Sequence, residues 1–253
     1  MNRIAVVTGA SRLGGIGASI CLKLADQGCD IFFTGYREYD NSMPWGAEEE
    51  GFERLKTAIV EKGVRCEWEE IDFMKEEAPE QVLNSVINKL GKPAILVNNA
   101  AYSTETSIGK FSGRELDRHY FVNLRAPSLL TAEFIRVVDE DAGGRVVFLT
   151  SGQSLGAMPD ELAYAMTKSG AEALVRSTAV HAARKGVTIN AVNPGPTQTG
   201  WMTETIQKEL ISQFPMGRLG VPEDTANLIA FLVSPEAQWI TGQIIHSEGG
   251  FIR

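Results

Sequence analysis

Five short apolar runs alternate with longer segments of helical period, and this alternation most restricts what the chain can fold into. The runs are Ile4–Val7 and residues 31–33, 94–97, 146–149 and 187–192. Between them lie residues 18–27, 48–62, 79–90, 112–138 and 162–185, each long enough for a helix. Strands that are apolar on both faces and separated by helices specify an α/β chain whose parallel sheet is covered on both sides. Further on, residues 203–213 and 222–233 read as helices and residues 243–246 as a last strand. Gly28 is placed to stop the first helix, and Ser112 with Glu115 forms a capping box. Pro127 falls inside a helical pattern and predicts a kink or a break there. With no repeat and no linker, residues 1–253 read as one domain.

Composition excludes several function classes. Lys and Arg number 24 against 32 Asp and Glu, a net charge of −8, and no basic cluster stands out, which argues against nucleic-acid or anionic-membrane partners. No apolar run is long enough for a membrane span, and the first residues lack the apolar core of a signal peptide, so a cytoplasmic protein is expected. Cys21, Cys29 and Cys66 have no metal or redox spacing and read as small core residues in a reducing compartment. His119, His181 and His246 are too scattered to suggest a metal site.

Two constellations carry chemistry. The first run leads into Thr8-Gly9-Ala10-Ser11-Arg12-Leu13-Gly14-Gly15-Ile16-Gly17 and then a helix. Glycines at a strand-to-helix turn let backbone approach a pyrophosphate, and the helix N-terminus favours its charge. The strict G-x-G-x-x-G spacing is not matched. Tyr164 and Lys168 lie four apart on a predicted helix and share a face. A phenol is a poor acid–base catalyst at neutral pH, and a nearby ammonium lowers its pKa. Ser151, just past the run at 146–149, could bond the same substrate oxygen; Ser154 is the other serine in reach.

Taken in order, Thr8-Gly9 with Gly15-Ile16-Gly17, then Asn98-Asn99-Ala100, then Ser151 thirteen residues before Tyr164-x-x-x-Lys168, then Asn193-Pro194-Gly195, resemble the short-chain dehydrogenase/reductase family. The stretches at 215–224 and 239–243 look most like its 3-oxoacyl-acyl-carrier-protein reductases. The resemblance implies a Rossmann-type doubly wound parallel sheet with a small helical lid at about residues 197–215 over an apolar pocket with Tyr102, Leu155 and Met158. It implies an enzyme that moves a hydride between a nicotinamide dinucleotide and a carbonyl compound. Tyr164 would be the general acid, Lys168 would lower its pKa and hold the nicotinamide ribose, Ser151 would polarise the carbonyl, and Asn123 would hold a relay water.

Cofactor contacts follow from the same resemblance. Gly9, Ser11, Arg12, Gly15, Ile16 and Gly17 would hold phosphates, with Tyr36 and Arg37 at the end of the second strand. Asp72 and Phe73 would meet the adenine, and Asn98, Asn99, Ala100 and Ala101 the adenosine side. Pro194, Gly195, Thr197 and Thr199, with Tyr164 and Lys168, would hold the nicotinamide end. An acid ending the second strand would select NAD(H); here the stretch is Thr34-Gly35-Tyr36-Arg37. With Arg12 and Arg37 as phosphate partners, NADP(H) is expected over NAD(H). The chain departs from the family pattern in the extra Leu13-Gly14 and in Ala101, where the pattern has glycine.

An NAD-dependent alcohol or sugar dehydrogenase is the alternative within the family. Outside it, Gly152-Gln153-Ser154-Leu155-Gly156 matches a hydrolase nucleophile elbow, with His181 or His246 as base, but no helical pattern follows the serine directly. A small hydrophobic carbonyl compound, free or as an acyl thioester, fits better than a carrier-bound one. Docking an acidic carrier wants a basic patch, and the helix at 112–138 ends in Asp139-Glu140-Asp141, with only Arg184 and Lys185 of the required sign nearby. Helices 112–138 and 162–185 are apolar around much of their girth, which calls for burial against further copies, and the family implies a homotetramer.

Overall fold

Every strand in the sheet is parallel to its neighbours, as the doubly apolar runs require. The computed structural model describes residues 2–139 and 143–253. Its strands are β1 (Ile4–Val7), β2 (Asp30–Gly35), β3 (Cys66–Glu70), β4 (Ile95–Asn98), β5 (Arg145–Leu149), β6 (Thr188–Asn193) and β7 (Ile244–His246), in the order β3-β2-β1-β4-β5-β6-β7. Side chains alternate across β1: Ala5 and Val7 pack on one face, Ile4 and Val6 on the other. The first face is covered by α1 (Ile16–Asp26), α3 (Gly51–Val60) and α9 (Pro222–Leu232). The second is covered by α4 (Ala78–Lys89), α6 (Ala126–Val137) and α7 (Leu162–Ala183). This is the Rossmann-type doubly wound sheet.

The structure adds two elements that periodicity did not indicate. β3 reads Cys66-Glu-Trp-Glu-Glu70, and as an edge strand bonded only to β2 it has no need of an apolar run. A short α2 (Arg37–Ser42) follows β2 and opens a segment that runs to α3. The helix expected over 112–138 is present as one unbroken helical run of changing pitch. It begins as α5 (Gly113–Tyr120), widens into a π-helical turn over Phe121–Arg125, and resumes as α6 with Pro127 in its first turn. Ser112 caps α5 by accepting from the Glu115 N–H, but Glu115 turns its carboxylate to Tyr102 and Thr104, so the box is one-sided. The remaining helix is α8 (Glu204–Ile211).

The turns after β1 and β4 meet at the point where strand order reverses. Gly9 has φ +72°, and a Cβ there would lie 2.6 Å from Ala100 Cα; one on Gly17 would lie 2.5 Å from the Gly9 carbonyl oxygen. Asn99 donates to the Thr8 and Gly9 carbonyls at 2.9 and 2.8 Å, while the Thr8 hydroxyl accepts from the Asn99 and Ala100 N–H groups, both at 3.0 Å. Gly14, by contrast, has open space around it. Gly17→Ala is therefore expected to destabilise the fold by about 1–3 kcal/mol, and Gly14→Ala by no more than about 0.5 kcal/mol. Urea denaturation of both variants beside the parent checks this.

Candidate active site

The C-terminal ends of the strands border a cleft of about 560 Å³, within the range of small-molecule and cofactor sites. Of the expected cofactor residues, Gly9, Ser11, Arg12, Gly15, Ile16 and Gly17 line it on the β1 side. Tyr36, Asp72, Phe73, Asn99, Ala100, Ala101 and Thr199 complete that set. The backbone crossing described above leaves room for a ligand because neither Gly9 nor Gly17 carries a side chain. The residues present therefore fit a dinucleotide.

Several expected cofactor residues lie off the cleft lining, Tyr164 and Lys168 among them. Arg37 does not line the cleft; its guanidinium pairs with Glu70 at 2.8 Å and lies over the Phe52 ring, 4.4 Å from its centre. Asn98 turns away as well, burying its amide against the Thr131 hydroxyl at 3.0 Å, because β4 alternates and only Asn99 faces the cleft side. Pro194, Gly195 and Thr197 lie beyond the cleft lining, after β6, where Asn193 accepts from the Gly195 N–H at 2.9 Å and fixes its turn.

The catalytic candidates converge beside β5. Ser151 follows that strand, and its hydroxyl lies beside the Tyr164 phenol on α7. Lys168, one turn on, is buried, with its ammonium 5.3 Å from the Tyr164 ring centre and donating to the Leu149 carbonyl at 2.7 Å. Asn123 sits on the π-helical turn, a feature frequent at functional sites. Its amide spans both backbone groups of Tyr102, at 2.7 and 2.8 Å, and touches Thr167 at 3.2 Å.

Burial is the main cause of the Tyr164 phenol lying above its ordinary pKa, with Glu161 and Tyr39 adding to it and the Ser151 hydroxyl opposing. The phenol is kept protonated, the form that can donate. Burial also draws Lys168 down to about 8, since the charged form loses water without gaining a carboxylate.

Sequence reasoning missed Glu172. It is buried and accepts from the Thr150 hydroxyl at 3.0 Å and from the Gln153 amide at 2.6 Å, so it holds the loop on both sides of Ser151. Its place four residues past Lys168 on the same face was the available signal. The nucleophile-elbow reading loses its support: Ser154 contacts Glu172 at 3.5 Å, His246 is hydrogen-bonded with Asn193, and α7 starts only at Leu162.

Comparison with known proteins gives the same outline. A family model described as Enoyl-(Acyl carrier protein) reductase matches residues 9–252. The chain belongs to the short-chain dehydrogenase/reductase family. One relative, the uncharacterized oxidoreductase YjdA of Bacillus subtilis (strain 168), is 47% identical over 254 residues, covering 100% of this chain and 98% of its own length. The 3-oxoacyl-[acyl-carrier-protein] reductase FabG of Staphylococcus epidermidis is 31% identical, over 99% of both chains. Among solved structures, a short-chain dehydrogenase/reductase from Serratia marcescens superposes with a TM-score of 0.87 at 29% identity, over 98% of this chain and 97% of the other. Acetoin dehydrogenase YohF from Salmonella typhimurium gives 0.85 at 27%, over 99% and 97%. Family members use NAD(P)(H), and no metal-binding cluster and no membrane-spanning helix occurs among the described residues of this short-chain dehydrogenase/reductase.

Lys168 is an ammonium held in the core at a cost in hydration. Because its folded pKa is depressed below the unfolded 10.5, the penalty is full below about pH 8 and fades as pH rises from there to 10.5. Lys168→Met should abolish turnover and yet raise stability at pH 7 by about 1–3 kcal/mol, an advantage that shrinks between pH 8 and 10.5. Melting curves across that range check the sign.

Proposed function

We propose that the protein is a cytoplasmic NADPH-dependent carbonyl reductase of 3-oxoacyl type. The observation that carries this reading is the convergence of Ser151, Tyr164 and Lys168 beside β5, with Asn123 behind them. A bound nicotinamide supplies the hydride. Tyr164 gives its phenolic proton to the carbonyl oxygen, and Ser151 donates a hydrogen bond to that oxygen. Lys168 holds the ribose; Asn123 fixes the Tyr102 backbone and a water on the path that reprotonates the phenol. Pro194, Gly195 and Thr197 support the nicotinamide, and residues 197–215, including α8, form a lid over the substrate.

The family resemblance and the FabG relatives favour a 3-oxoacyl-type ketone. We infer a free or thioester substrate over a carrier-bound one. Asp139 is exposed and pairs with Lys92, which adds no basic surface there; Glu140 and Asp141 lie outside the described residues. Leu129, Met166 and Val180 on α6 and α7 are large and exposed, and they fit a homotetramer built through these helices.

Preference for NADPH rests on Arg12, now that Arg37 is committed to Glu70. The NAD-dependent alternative draws on Glu38 and Asp40, two carboxylates on the cleft wall that could accept from a ribose diol.

Two measurements test the proposal. Tyr164→Phe should lower ketone reduction by about a hundredfold to ten-thousandfold with NADPH binding unchanged in a fluorescence titration; parallel loss of binding would disprove the assignment. Arg12→Ala should weaken NADPH by about tenfold to a hundredfold and NADH far less. An equal loss for both nucleotides would remove the basis for the NADPH preference.

A further inference from the structure

The segment joining β2 to α3 folds back over the Gly-rich turn and delivers a carboxylate to it. Asp40, on α2, is 3% exposed. One of its oxygens accepts from the Ser11 hydroxyl; the other lies 3.5 Å from Arg12 Nε and accepts from the Trp45 indole N–H at 3.0 Å. The Arg12 guanidinium stacks on the Trp45 ring, 4.4 Å from its centre, and also donates to the Thr199 carbonyl at 2.7 Å. Further along, Glu48 accepts from the Leu13 N–H at 3.2 Å. Next to Asp40 on α2, Tyr39 exchanges long hydrogen bonds with the Ser103 backbone, at 3.3 and 3.4 Å.

A hydroxyl, a guanidinium and an indole N–H converging on one anion make an anion site, and the anion in it belongs to the chain. We propose that Asp40 occupies the phosphate subsite formed by Ser11 and Arg12, so that Asp40 and the 2′-phosphate of NADPH compete for the same donors. Asp40 is then a specificity-determining residue that limits how far NADPH is preferred. This rests on the dinucleotide reading above and deepens it.

The physical basis is charge. Two anions a few ångströms apart in a site shielded from water repel strongly, so the 2′-phosphate enters only as Asp40 leaves. The donors stay satisfied in both states, by the carboxylate before binding and by the phosphate after it. NADH, lacking that phosphate, has no reason to displace Asp40.

The test compares the parent with Asp40→Asn and Asp40→Ser, using NADPH, NADH and the fragments 2′,5′-ADP and 5′-AMP. Both substitutions should tighten NADPH and 2′,5′-ADP by about tenfold or more, with NADH and 5′-AMP within about threefold of the parent. An equal change for all four ligands, or weaker 2′,5′-ADP binding, would overturn the inference; weaker NADH binding alone would instead make Asp40 a ribose ligand. A second readout uses the unsubstituted site. Saturating 2′,5′-ADP should shift tryptophan emission as Asp40 leaves the Trp45 indole, and Trp45→Phe should remove that shift. No shift in the parent would mean that Asp40 stays in place. If the parent binds none of the four ligands, the dinucleotide reading fails too; if NADPH binds and Asp40→Asn changes nothing, only this inference fails.

Discussion

Two backbone turns share one small volume after β1 and β4, and the site depends on their fitting together. Gly9 approaches Ala100 closely enough that no side chain can stand between them, and Gly17 rests against the Gly9 carbonyl. Asn99 ties the crossing from one side and Thr8 from the other. Because strand order reverses here, the turns splay to either side and leave the opening that α/β sheets use for ligands. Ser11 and Arg12 stand on one lip of it, and Ala101 and Tyr102 on the other.

The cluster beside β5 depends on a different economy, that of buried charge. Tyr164, Lys168 and Glu172 follow one another at four-residue intervals on α7, so one helix face carries a phenol, an ammonium and a carboxylate. They do not neutralise each other. The ammonium is turned to the Leu149 carbonyl, and the carboxylate to Thr150 and Gln153. Each charge thus pins a different point on the chain around Ser151 and holds that loop in place.

Legibility in the sequence followed the range of the interactions. The strand β1, the Gly-rich turn and the Tyr164–Lys168 spacing are local patterns, and they could be read directly. β3 was hidden because an edge strand with three glutamates has no apolar signature. The π-helical turn was hidden because Asn123 lies inside a continuous helical period. Asp40 is the hardest case: within Arg37-Glu-Tyr-Asp-Asn-Ser42 it looks like one more solvated charge. Only the fold-back of its segment puts it against Ser11 and Arg12, twenty-nine and twenty-eight residues away in the chain. Arg37 was misread for the matching reason, since its partner Glu70 arrives from β3, an element the pattern did not disclose.

The two margins of the sheet bear on how copies of the chain can meet. On one side, β3 presents Glu67, Glu69 and Glu70, each held by a cation from the same chain: Lys56, Lys89 and Arg37. On the other, β7 is only three residues long. Neither margin is a good template for strand addition, one because a docking strand would face a row of carboxylates and the other because it offers so few backbone groups. Both margins thus discourage growth of the sheet by strand addition.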